Sequence, residues 1–187
     1  MNLNSKKPVY VLSECAIFIA VAIVLSIIPE IPIGAVGGSI GFGMIPLFII
    51  AYRHGYKYSF ISGFVFSILY VTVGGKWGYG LPSVLLDYVL AYTIIGIAGF
   101  FGGAAKCKGK LFEVGVFLGC LARYAVSVLS GVVLYGITTA TEIGCIVTSN
   151  ALIYSLIYNG LYMLPNTIIA IVAMALLRYP LKKLERI

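Results

Sequence analysis

The sequence predicts an all-α integral membrane bundle of six transmembrane helices with both termini in the cytoplasm. Three observations predict it. Hydrophobic residues make up 61% of the chain and charged residues only 10%, against roughly 25% charged in soluble proteins. Apolar runs of spanning length recur along the chain, giving a mean hydropathy of +1.06. The basic residues collect in the joints between those runs. So little charge cannot coat a water-facing surface of this size, and lipid must replace water around much of it. Residues 1–187 are expected to form a single transmembrane domain.

A spanning helix needs about 20 mostly apolar residues and must pair every backbone polar group internally. The first predicted helix runs from about Tyr10 to Ile28 and is broken by Pro29, Pro32 and Gly34. Lys6 and Lys7 precede it, but the run is too long for a signal-peptide core and no small-residue cleavage site follows, so it is expected to be retained. The second, about Ile40–Tyr52, is short, glycine-rich at its start and carries Pro46. The third covers about Tyr58–Val73. The fourth covers about Leu81–Phe101, with Pro82 in its first turn, where a missing N–H costs little. The fifth covers about Leu111–Ile137, and the sixth about Ala151–Leu177 with a kink expected at Pro165.

Charge sets the expected orientation. Lys6, Lys7, Arg53, Lys57, Lys106, Lys108, Lys110, Arg178, Lys182, Lys183 and Arg186 fall on one side, eleven of the 13 Lys and Arg. Only Lys76 lies in a loop on the other side, and Arg123 lies inside the fifth helix. Basic loops stay in the cytoplasm. The same distribution explains the net charge of +7 without nucleic acid, which would need a basic stripe with interleaved aromatics. The loops left outside read PEIPIGAVGGSI, GGKWGYG and TTATEIGCIVTSN, rich in Gly and Thr and poor in charge. They suit either a lid over a pocket or plain connectors. Cys15, Cys107, Cys120 and Cys145 lack zinc-ligand or redox spacing, so neither a metal site nor a disulfide framework is expected.

Ionisable residues inside a membrane segment are costly and are candidates for function. Asp87 and Arg123 are the two. They suit a structural ion pair between the fourth and fifth helices, or the lining of a ligand pocket, and both readings stand at this point. Arg123, Ser127 and Ser130 share one helical face at i, i+4 and i+7. Tyr88 and Tyr92 accompany Asp87, and Tyr154, Ser155, Tyr158, Asn159 and Tyr162 give the sixth helix a polar-aromatic surface. Tyr135 sits at the outer end of the fifth helix, with Trp77 and Tyr79 in the outer loop before the fourth. An amide such as Asn159 needs a partner inside a span. Tyr10, Tyr52, Tyr58 and Tyr179 fit an aromatic belt at the headgroups. These groups predict an outward-opening pocket between the last three helices, suited to a small flat heteroaromatic ligand, with a cationic ring gaining cation–π energy and attraction to Asp87. Glu14 is expected to be mostly structural and His54 to be a solvated residue of a cytoplasmic joint. Motifs of metalloproteases, serine hydrolases and nucleotide-binding loops are lacking in the sequence, which speaks against a catalytic role and a cofactor.

The segments SECAIFIAVAIVLSIIP, GMIPLFIIAYRHGYKYSFISGFVFSILY, VLLDYVLAYTIIGIAGFF, RYAVSVLSGVVLY and YSLIYNG follow one another over nearly the whole chain. In that order and spacing the chain resembles the substrate-binding S component of energy-coupling factor (ECF) vitamin transporters, the thiamine-specific type in particular. The resemblance implies a non-enzymatic, multi-pass protein of a prokaryotic plasma membrane that binds thiamine. It also implies a transmembrane coupling subunit and two cytoplasmic ATPase subunits as partners. Ala16 and Ala20 match the family's small-residue stripe that meets the coupling subunit. Asp87 and Tyr88 match a Glu–Tyr pair at the thiamine head, Arg123 a basic residue, Tyr154 and Asn159 a Tyr and an Asn of the pocket, and Trp77 falls near an aromatic loop residue. Ser127 stands where thiamine binders carry a histidine, Tyr135 where they carry a tryptophan, and GAVGGSIG lacks a stacking tryptophan. A related ligand, such as the pyrimidine precursor of thiamine or another B vitamin, therefore stays open, as does a stand-alone secondary carrier.

Overall fold

A computed structural model of the chain describes residues 8–28, 31–33, 38–74, 80–102, 110–134, 141–143 and 146–184. Six helices dominate it. They are α1 (Pro8–Ile27), α2 (Met44–His54), α3 (Tyr56–Gly74), α4 (Leu81–Phe101), α5 (Lys110–Leu134) and α6 (Ala151–Leu184). All but α2 carry a stretch long and apolar enough to cross a membrane. The second helix starts at Met44, later than the sequence predicts, and its 11 residues span about 16 Å at 1.5 Å per residue.

The residues expected to open that helix form something else. Ser39–Ile40 (β2) pairs antiparallel with Ile31–Pro32 (β1). A second short pair, Thr141–Ile143 (β3) and Ile146–Thr148 (β4), precedes α6. In the first hairpin Gly38 has φ of +90°, a conformation that a side chain disfavours.

The short helix is the centre of the bundle. Phe48, Ile50, Ala51 and Tyr52 are wholly buried, and α2 packs against α1, α3, α4 and α6. Tyr52 is thus a core residue packed edge-on against Phe112 at 5.1 Å, which corrects its expected place in the headgroup belt. The outer helices are apolar on both sides, as lipid requires. On α1, Val11, Cys15, Ile19, Ala22 and Ser26 face the bundle, while Val9, Leu12, Ile17 and Val24 are exposed.

The joint between α2 and α3 is tight. Gly55, with φ of +78°, ends α2 and donates its N–H to Ala51. Arg53 pairs with Glu14 through its Nε, and Nε2 of His54 lies 3.1 Å from the same carboxylate. The His54 side chain is only 5% exposed and its ring meets Tyr58 at 5.9 Å, so it is not the solvated residue expected.

Helix α4 is irregular. Val84–Leu90 is wound as a π-helix and Ile94–Phe101 as a 3-10 helix. Its backbone comes so close to α3 that a Cβ on Gly63 would lie 2.6 Å from the carbonyl oxygen of Tyr92. A backbone oxygen cannot swing away, so Gly63→Ala is expected to lower stability by about 1–3 kcal/mol, read as a fall in melting temperature in detergent. Helix α6 continues through both Pro165 and Pro180, beyond the expected end at Leu177. Thr167 donates to the Met163 carbonyl oxygen at 2.7 Å, so a hydroxyl bonds backbone in the turn around Pro165.

Candidate functional site

Asp87 lies within the π-wound stretch of α4, where one extra residue per turn re-aims side chains, a device frequent at functional sites. Its carboxylate accepts the Ser83 hydroxyl at 2.8 Å, one turn earlier in the chain. Tyr88 follows it, with its ring 6.0 Å from that of Tyr70 on α3. Tyr70, Phe66 and Tyr92 form a ring cluster with separations of 4.8–5.8 Å.

Arg123 is buried and reaches across the bundle. Its guanidinium carbon lies 4.0 Å above the centroid of the Tyr92 ring, and Nη1 approaches the sulfur of Met44 on α2 at 2.7 Å. Among the described residues no carboxylate forms an ion pair with it. Among the described residues the two charges do not pair with each other: the Asp87 carboxylate accepts from Ser83, and the Arg123 guanidinium lies over an aromatic face. Nε of Arg123 and the hydroxyl of the fully buried Ser130 lack hydrogen-bond partners among the described residues. Both stand on the α5 face that also carries Ser127.

The amide of Asn159 is firmly placed. It donates to the Ser155 carbonyl at 2.9 Å and hydroxyl at 3.1 Å, and lies 3.4 Å from the carbonyl oxygen of Ser127 on α5. Its own oxygen accepts the Tyr162 hydroxyl. Tyr154 stacks on Tyr158 at 5.9 Å, and the Tyr158 hydroxyl donates to the Ile33 carbonyl of the first hairpin at 3.1 Å. The expected polar-aromatic wall of the sixth helix thus exists, and Ser127 and Asn159 meet. Trp77 and Tyr135 lie outside the described residues. Ala16 and Ala20 lie on the exposed side of α1, away from the bundle.

Met44 as a partner of Arg123 carries no sequence signal, because nothing marks one methionine inside an apolar run. Asn166 was missed although it could have been found. It is a second amide on α6, and like Asn159 it needs a partner inside a span. It accepts from the Gly41 N–H at 3.0 Å and donates to the Ser39 carbonyl at 2.8 Å, fastening the first hairpin to α6.

The sequence model of the thiamine transporter protein family matches residues 12–186. The chain belongs to the thiamine transporter family. Within this family it is 34% identical over 185 residues to the thiamine transporter ThiT of Bacillus subtilis, covering 94% of this chain and 93% of that one. It is 29% identical to ThiT of Lacticaseibacillus paracasei, over 94% of this chain and 90% of the relative. Its fold is similar to the solved structure of ThiT from Listeria monocytogenes, with a TM-score of 0.79 and 29% identity over 96% of this chain and 98% of that one. As a transporter-family member with five long apolar helices it is a multi-pass membrane protein and not an enzyme.

Proposed function

We propose that this chain is the high-affinity thiamine-binding subunit of an ATP-driven importer in a prokaryotic plasma membrane. It crosses the membrane six times with both ends in the cytoplasm. It captures thiamine from outside between α4, α5 and α6 and releases it inward when a transmembrane coupling subunit and two ATPase subunits act. The observation that carries this reading is the family match over residues 12–186. The site chemistry supports it. Asp87 offers a carboxylate to a cationic ring, while Tyr88, Tyr154 and Asn159 supply rings and an amide for the flat heteroaromatic part. Arg123 and Ser127 line the α5 side, with Trp77 and Tyr135 contributing rings from the outer end. The exposed Ala16 and Ala20 leave a small-residue face of α1 open to a neighbouring helix.

Titration of the purified protein with thiamine is expected to give saturable heat at one site per chain, together with quenching of the sole tryptophan, Trp77. Absence of a saturable signal by both methods removes the substrate assignment. Ser127 and Tyr135 stand where the resembled thiamine binders carry histidine and tryptophan, so the pyrimidine moiety belongs in the same titration. Tighter binding of that moiety than of thiamine would assign the site to the precursor. Uptake into liposomes is expected only when coupling subunit, ATPases and ATP are added. Uptake by this protein alone would make it a secondary carrier.

A further inference from the structure

The outer hairpin does not merely cover α6; it is keyed into it at three places on one helical face. Tyr158, Tyr162 and Asn166 are spaced i, i+4 and i+8, and each holds a different part of the hairpin. Tyr158 donates to Ile33, and Asn166 clamps Ser39 and Gly41. Between them the Tyr162 ring lies directly under Gly38: a Cβ there would sit 2.6 Å from Cδ1 and 2.8 Å from Cε1 of that ring. The hydroxyl at the far end of the same ring donates to the oxygen of Asn159, and both side chains are buried. One rigid ring therefore touches the hairpin at its edge and the amide at its tip.

We propose that Tyr162 is a positioning residue that couples the seating of the outer hairpin to the orientation of the Asn159 amide. With the hairpin seated, Gly38 presses the ring into the one place where its hydroxyl meets Asn159. The amide oxygen is then pinned by Tyr162, and its NH2 is directed toward Ser155 and Ser127. When the hairpin lifts, the ring is free to move and the amide oxygen loses the Tyr162 hydroxyl, leaving the amide held through its NH2 on Ser155 and Ser127. Asn159 is thereby set for ligand only under a closed hairpin. This inference rests on the thiamine-binding reading above for the role of Asn159, but the mechanical link itself does not need a ligand.

The test is a double-mutant cycle on thiamine affinity with Gly38→Ala and Tyr162→Phe. The alanine methyl at φ of +90° cannot coexist with the seated ring, and the phenylalanine keeps the ring but removes the hydroxyl. Each single change is expected to weaken binding about tenfold, and the pair to be no more than about threefold worse than either alone, because both cut the same link. Multiplying effects, about a hundredfold for the pair, would overturn the proposal. A ligand-free arm separates this outcome from failure of the thiamine reading. With asparagine labelled by nitrogen-15, the Asn159 side-chain amide is expected to shift in Gly38→Ala protein without thiamine. An unmoved resonance overturns the coupling whether or not thiamine binds. Should the wild type fail to bind thiamine while that resonance moves, the substrate assignment falls and the coupling stands.

Discussion

Asp87→Asn is expected to leave the protein folded and to weaken thiamine binding by about 2–4 kcal/mol, roughly 30- to 1,000-fold. The reasoning turns on what Asp87 touches. Its carboxylate accepts a hydrogen bond from Ser83, and the amide oxygen of asparagine can accept the same bond. Arg123 is held over Tyr92 and against Met44, so the substitution does not take away the contacts that hold this guanidinium. What is lost is the negative charge that the proposed site offers to the cationic ring of thiamine. Calorimetry with thiamine should show the loss, with a melting temperature in detergent close to that of the unaltered protein. A large fall in melting temperature with affinity preserved would instead make Asp87 a structural residue.

The opposite signature is expected at the joint between α2 and α3. Glu14→Ala should lower stability by about 3–5 kcal/mol, a fall of roughly 10 °C or more in melting temperature, with little change in thiamine affinity. Glu14 holds Arg53 and His54 together, and the Arg53 side chain is 9% exposed. Removing the carboxylate leaves a nearly buried guanidinium without its counter-charge, which costs more than the pair is worth. The second change Arg53→Met should therefore restore much of the lost stability, since it removes the orphaned cation. If the double variant melts no higher than Glu14→Ala, the desolvation argument is wrong.

The long helices were legible because lipid imposes a simple code. A run such as Val9–Ile28 or Leu111–Leu134 has no reading other than a span, and the helices follow those runs closely. The parts that escaped the code are those where a few residues do something local. Strands of two and three residues carry no periodicity, so the hairpins looked like glycine-rich connectors. The π-winding at Asp87 has no compositional mark. His54 looked solvated because its place in a polar joint says nothing of Glu14, forty residues earlier. At the site, the sequence marks Asp87, Arg123 and Asn159 as side chains needing partners, and passes over Asn166. It could not say that Arg123 would choose a ring and a sulfur over Asp87, because that choice depends on how helices rotate against one another.

The brevity of α2 carries a consequence for the backbone that precedes it. In the six-span arrangement proposed here, its 11 residues fill about half of a hydrocarbon layer about 30 Å thick. The remainder of that column falls to the non-helical residues 38–43, whose polar groups at Ser39 and Gly41 are met by Asn166. Irregular backbone at this depth survives only when screened from lipid or wetted. Asn166 therefore supplies, from a long helix, the hydrogen-bond partners that hydrocarbon would deny this stretch of backbone.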